Sequence, residues 1–178
     1  DRLSYVDNPF KKDAKFNFDK FRSHVAMAMR MMDDIIDLEL EKVEQIIEKI
    51  AADPEDEDVR RVELELWKKI LGMAQKGRRT GLGITAEGDM LAALGLVYGS
   101  EEAIAFAVEV QKTLAVEAYR ASVKMAAERG AFPVYDAAKE KDNPMIARIR
   151  EADPELYAEM EKVGRRNIAM LTIAPTGT

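Results

Sequence analysis

The stretch "RRNIAMLTIAPTGT" (165–178) decides how this chain is read. Five of the seven residues from Asn167 to Ile173 are apolar, and Ala174, Pro175, Thr176, Gly177 and Thr178 follow. The run predicts a strand over 167–173 that enters a glycine-containing turn. Threonine hydroxyls and exposed backbone N–H groups in such a turn suit phosphate oxygens, and a helix after it would add its positive end. The same residues also fit an ordinary strand-to-helix turn with a threonine cap. A strand of this kind is usually about to start a helix, so the chain reads as cut inside a working loop.

Working outward, "RRTGLGIT" (78–85) alternates glycines with apolar or β-branched residues, and a second short strand is expected near 80–84. The rest is helical in pattern. Asn17 is a plausible N-cap, with Phe16 and Phe21 at hydrophobic-staple positions. Apolar residues from Phe18 to Ile50 recur at helical spacing, which predicts a helix to about Ala52 with a kink or break near Leu38. Asp53 and Pro54 are expected to open a second helix, with Val59, Val62, Leu66, Ile70 and Met73 as its core face and Gly77 as its stop. A short helix is expected over 86–95. Ser100 opens a long one that ends at Gly130, and the pairs Asn143-Pro144 and Asp153-Pro154 open two more. Residues before about 16 and the stretch 131–136 read as irregular. The helices at 18–52 and 100–129 should pack together. No internal repeat or linker divides residues 1–178, so the chain reads as one unit, mainly α with a few short strands.

Composition narrows the chemistry. The 178 residues are 47% hydrophobic and 34% charged, with a formal net charge of −6. This excess of acid argues against a nucleic-acid surface, which needs clustered Lys and Arg. No apolar run reaches the roughly 20 residues of a membrane-spanning helix. The first residues, "DRLSYVDNPF", carry no secretion signal and no initiator methionine, which suggests processing or cutting. There is no cysteine and a single histidine, His24. Disulfides and thiol nucleophiles are therefore excluded, and a zinc or di-iron centre is poorly served.

Three short patterns invite sharper readings. "MMDDIID" (31–37) places Asp33, Asp34 and Asp37 in the D-D-x-x-D spacing with which helical prenyl-transferases hold magnesium and a diphosphate. The alternative is a solvated acidic helix face, and no second acidic motif accompanies it. "GLGITA" (81–86) fits a loose dinucleotide loop, but it follows a helix end rather than an apolar strand. The methionines at 27, 29, 31 and 32 read as core filling.

Several stretches taken together resemble the catalytic chain of ribonucleotide reductase. They are "RRTGLGITAEGDMLAALGLVYGSEEA" (78–103), "EAYRASVKMAAERGAFPVYD" (117–136), "ADPELYAEMEKVGRRNIAMLTIAPTGT" (152–178) and, more weakly, "FDKFRSHVAMAMRMMDDIID" (18–37). They look most like the adenosylcobalamin-dependent class. The acidic stretch 39–70 is less familiar and reads as an insertion.

The resemblance implies a fragment from the C-terminal part of a ten-stranded α/β barrel. It makes Ala174, Pro175, Thr176, Gly177 and Thr178 a substrate-phosphate loop, gives "DDIID" no metal role, and assigns no catalytic residue to this chain. The family reduces ribonucleotides to deoxyribonucleotides through a cysteine thiyl radical and a redox cysteine pair, with an Asn-x-Cys-x-Glu setting. None of these is present here, so the chain is expected to be inactive and to bind no nucleotide alone. The implied parent is cytoplasmic and uses adenosylcobalamin, with no cofactor expected on this chain. The implied partners are the remainder of the reductase chain, a ribonucleoside di- or triphosphate and further copies of the protein. A stand-alone helical interaction module is the alternative from another class. The prenyl-transferase using Asp33, Asp34 and Asp37 is a third.

Overall fold

Asn17 starts the longest helix. Its side-chain oxygen accepts a hydrogen bond from the Lys20 backbone N–H at 3.0 Å, which satisfies one of the free donors of the first turn. The staple also forms, with the Phe16 and Phe21 rings 5.4 Å apart. In this computed structural model, which describes residues 5–175, helix α1 runs unbroken from Phe18 to Ala52. The expected kink near Leu38 does not occur, because neither proline nor glycine interrupts the helical ladder there. Phe21, Val25, Met29, Ile36, Val43 and Ile50 form its buried stripe, and Asp33 lies in the same stripe. Of the four methionines read as core filling, Met29 is buried and Met32 half-buried. Met27 and Met31 face outward, a correction that follows from their place on the far side of the helix.

Helix α2 spans Glu57–Gly77 rather than starting at Asp53. Asp53 instead closes α1, its N–H bonded to the Ile50 carbonyl at 3.2 Å. Pro54 holds the residue before it in an extended conformation, and Asp56 caps α2 by accepting from the Asp58 N–H at 2.9 Å. The face of α2 also differs from expectation. Val59, Val62, Leu66 and Met73 are exposed, and Leu64, Trp67, Ile70 and Leu71 are half-buried. The helix carries two apolar stripes. Leu64, Trp67 and Leu71, with the bulkier stripe, lie opposite the exposed set on the helical wheel, and α2 packs on α1.

The short helix α3 (Glu87–Ala93) precedes α4 (Glu101–Arg129), which Ser100 caps through the Ala103 N–H at 3.2 Å. As expected, α4 packs along α1. A one-turn helix, α5 (Ala137–Glu140), follows the irregular 131–136 stretch. Helices α6 (Pro144–Ala152) and α7 (Pro154–Val163) begin at proline, with Asn143 and Asp153 as their caps. Gly164, at φ 77°, ends α7.

Two features of the extended segments differ from expectation. Part of the lead-in forms a hairpin, β1 (Val6–Asp7) with β2 (Lys15–Phe16), antiparallel, its turn using left-handed backbone at Asn8 and Phe10. The strands expected near 80–84 and 167–173 reduce to one parallel bridge, Leu82 with Leu171. Four backbone bonds line the pairing: Ile168 N–H to Gly77 O, Thr80 N–H to Ala169 O, Leu82 N–H to Met170 O and Thr172 N–H to Leu82 O, at 2.8–3.0 Å. The two segments lie side by side, and each has only the other as a strand partner among the described residues. The buried cluster joins α1, α3, α4, α6, α7 and Met170. No helix among the described residues is long and apolar enough to cross a membrane.

Candidate functional site

The C-terminal segment is seated by glycines opposite it. A Cβ added to Gly83 would stand 2.4 Å from the Thr172 carbonyl oxygen, and one on Gly81 would stand 3.1 Å from the Thr172 side chain. Gly77 meets Ile168 at 3.2 Å in the same way. These contacts explain the "GLGIT" spacing: the glycines let two backbones approach, and no dinucleotide loop is formed.

A buried ionic cluster fixes the root of the segment. Asp33 is 0% exposed. Its Oδ1 accepts from Arg78 Nε and Asn167 Nδ2, both at 2.9 Å. Its Oδ2 accepts from Arg166 Nε at 3.2 Å and Arg129 Nη1 at 3.4 Å. Arg78 also reaches Asp37 at 2.7 Å, and Arg129 reaches Asp34 at 2.7 Å. Burial alone would raise the Asp33 carboxyl, but the bonds from Arg78, Asn167 and Arg166 together with the Arg78 charge hold it below its ordinary value. Arg78 has left-handed backbone at φ 46°, a conformation that glycine fits best; its guanidinium contacts keep an arginine there. Asn167 completes the cluster. It donates to the Arg78 carbonyl at 3.0 Å, accepts from Ser122 Oγ at 2.9 Å and returns its own N–H to that Oγ at 3.1 Å. Among the described residues, no buried side-chain polar atom lacks a partner.

Arg165 makes a second anchor one residue away. It forms a two-pronged ion pair with Glu140 and lies over the rings of Tyr119, Phe132 and Tyr135 at 5.3–5.7 Å. It also donates to the carbonyls of Asn167 and Ile168 at 3.1 and 3.2 Å. Planar stacking and fork geometry together suit arginine rather than lysine here.

Beyond the Thr172 backbone these constraints end. Thr172, Ile173, Ala174 and Pro175 are exposed, Ile173 at 87%. Open clefts of about 760 and 660 Å³ flank Thr172 and Ile173, one toward Thr85, Glu87 and Tyr98, the other toward Met145 and Arg148. Of the five expected phosphate-loop residues, Ala174 and Pro175 continue the anchored segment at its exposed end. Thr176, Gly177 and Thr178 lie outside the described residues.

The magnesium reading of Asp33, Asp34 and Asp37 does not fit this geometry. Asp33 is buried and every one of the three carboxylates bonds to a guanidinium. Among the described residues no cluster of His, Cys, Asp or Glu is arranged to hold a metal ion. His24 Nδ1 lies 3.2 Å from the Tyr5 hydroxyl at the mouth of a cleft of about 250 Å³. The sequence reading missed the arginine cluster. One signal was available: Asp33 shares the stripe of Val25, Met29 and Ile36, where a charge requires buried partners.

The family model described as "Ribonucleotide reductase, barrel domain" matches residues 3–178. The chain belongs to this family. Among curated relatives of the reductase family, it is 27% identical over 166 residues to the vitamin B12-dependent ribonucleoside-diphosphate reductase of Mycobacterium tuberculosis, covering 93% of this chain and 18% of that protein. The enzyme of that name from Thermoplasma acidophilum is 31% identical over 164 residues, covering 92% of this chain and 16% of the relative. The ribonucleoside-diphosphate reductase subunit alpha of Chlamydia pneumoniae is 24% identical over 186 residues. The chain thus spans less than a fifth of the length of the reductases it matches. These matches lend no support to a stand-alone interaction module or a prenyl-transferase.

Proposed function

We propose that residues 1–178 act as one unit within the barrel of a B12-dependent ribonucleoside-diphosphate reductase and supply the strand and turn that hold the substrate phosphates. The observation that carries this reading is the contrast along 165–175: a root locked by two arginine anchors and glycine-mediated backbone contact, leading to an exposed end at Ala174 and Pro175. Such a root fixes where the turn projects. In the parent, the backbone N–H groups and hydroxyls of Thr176, Gly177 and Thr178 donate to phosphate oxygens, each charge-assisted bond contributing about 1.5–3 kcal/mol. The relatives' names favour a ribonucleoside diphosphate over a triphosphate as substrate.

The chain has no cysteine, so on this reading the radical and the reducing thiols come from the remainder of the reductase. Adenosylcobalamin, which the relatives' names imply for the parent, is held on this reading by the remainder of the reductase. On this reading the parent works in the cytoplasm, where its nucleotide substrates are, and this unit pairs with the other strands of a ten-stranded barrel.

Replacing Gly177 by Val in the full-length reductase tests the proposal. A side chain there blocks close approach of backbone to phosphate. The expected result is at least a tenfold rise in the Kd for ribonucleoside diphosphate, with the melting temperature unchanged. Unaltered nucleotide affinity in a folded variant overturns it.

A further inference from the structure

Gly81 and Gly83 owe their identity to space, not to backbone conformation. Among the described residues the glycines with positive φ are Gly95, Gly99, Gly130 and Gly164, so the left-handed conformation that favours glycine is not used at 81 or 83. The contacts behind the two differ in kind. At Gly83 the neighbour is backbone: an added Cβ would stand 2.4 Å from the Thr172 carbonyl oxygen and 3.5 Å from the carbonyl carbon. At Gly81 it is a side chain, the Thr172 methyl Cγ2 at 3.1 Å. Ordinary contact begins at 3.4 Å. A methyl at 83 therefore displaces the Thr172 carbonyl by about 1 Å, and one at 81 moves a side chain by a few tenths. Among the described residues, Thr172 is also the last of the segment whose backbone is bonded to its neighbour, its N–H donating to the Leu82 carbonyl at 3.0 Å.

We propose that Gly83 is a positioning residue for the phosphate turn: its missing side chain sets how deep Thr172 is seated, and so where the turn lies. The inference rests on reading 174–178 as that turn. The anchors at Arg165, Arg166 and Asn167 fix the direction of the segment, but Asn167 lies seven residues before Ala174, whereas Thr172 lies two before it. The Thr172 N–H bond holds its height along the pair. The bare Gly83 Cα lets the next peptide, from the Thr172 carbonyl to Ile173, settle against the neighbouring backbone. A methyl at 83 lifts that peptide. Ile173, exposed at 87%, is not packed to resist the shift, so the residues after it are carried along. A misplacement of about 1 Å at a binding group can cost up to roughly 100-fold. Gly83 touches neither the phosphates nor the reacting atoms; it acts through Thr172.

Alanine substitutions in the full-length reductase separate position from stability. Gly83→Ala is expected to raise the KM and Kd for ribonucleoside diphosphate about tenfold with kcat unchanged, the signature of lost substrate binding. An enzyme that is only destabilised behaves oppositely: its active fraction and apparent kcat fall while KM stays. Gly81→Ala should raise KM about threefold, and Thr172→Ser, which removes the obstructing methyl, should cancel that rise. Thr172→Ser should not rescue Gly83→Ala, because the obstructing atom there is a backbone oxygen that every residue carries. Rescue of Gly83→Ala by Thr172→Ser overturns the mechanism. So does a fall in kcat at unchanged KM. Where Gly83→Ala does not accumulate as folded protein, Gly81→Ala decides: a KM rise that Thr172→Ser cancels supports the seat at Thr172, and an unchanged KM overturns it. Gly177→Val, measured alongside, keeps the two readings apart. Unaltered affinity in Gly177→Val defeats the phosphate-turn reading itself, whatever Gly83→Ala shows. Weakened binding in Gly177→Val with wild-type KM in Gly83→Ala overturns this inference alone.

Discussion

The two ends of the segment 165–175 contrast sharply. At the root, Arg165, Arg166 and Asn167 reach α1, α4, α5 and the end of α2 through ion pairs and hydrogen bonds inside the protein. At the tip, Thr172 to Pro175 are exposed, with open clefts on either side of Thr172 and Ile173. The difference teaches where precision is built. Bonds among buried charged groups are directional and costly to break, so they fix the direction in which the segment leaves the protein. The tip contributes little to stability and is free to be shaped by what it meets.

The strongest test of this contrast is to remove the shared acceptor. Asp33→Ala leaves the guanidinium groups of Arg78, Arg129 and Arg166 without their common partner and should destabilise the protein by about 3–5 kcal/mol in urea unfolding. Its pH dependence follows in sign. The folded carboxyl lies below its ordinary value, so its contribution is fully present above the unfolded pKa of about 3.9 and is lost as pH falls through the lower folded value. The stability gap between the protein and D33A should therefore be constant near neutral pH and narrow below about pH 4. A gap that widens in acid would show that Asp33 is not held charged by its arginines.

A smaller effect is expected where root and tip meet. In Gly83→Ala the new methyl would stand 2.4 Å from the Thr172 carbonyl oxygen, and the backbone must shift to relieve it, costing about 1–3 kcal/mol. Hydrogen exchange at the Thr172 and Leu82 amides should accelerate while α1 and α4 amides stay protected. Uniform acceleration would mean that the pairing is not a local feature. The smallest effect is at the tip: Ile173→Ser should change stability by less than about 0.5 kcal/mol. A larger loss would show that Ile173 is buried in solution and that the contrast is false.

Much of this architecture was legible because its signals are local. The caps Asn17, Ser100, Asn143 and Asp153 and the stops Gly130 and Gly164 act within one helical turn, and each is where its residue type directs. Asp53 misled because it stands before Pro54, where it ends one helix instead of opening the next. The face of α2 was not legible: two apolar stripes share the helix, and periodicity alone does not say which one meets α1. The hairpin at 6–16 depends on left-handed backbone at Asn8 and at Phe10, a residue type that gives no hint of it. The strands expected near 80 and 170 shrink to one bridge, because their extent depends on pairing that no window of sequence contains. The arginine cluster was illegible for a related reason. Its members lie 45 to 134 residues apart, and only the anomalous place of Asp33 in an apolar stripe pointed toward it.

That separation also gives the Asp33 cluster a timetable. Arg166 follows Asp33 by 133 residues, an interval of roughly 7–27 s at translation rates of about 5–20 residues per second. The first helix emerges with a carboxylate on its apolar side. Arg78 arrives first, Arg129 next, and Arg166 with Asn167 last. Each arrival adds a bond to the same carboxylate, and the set is complete only when residues 166 and 167 have been delivered.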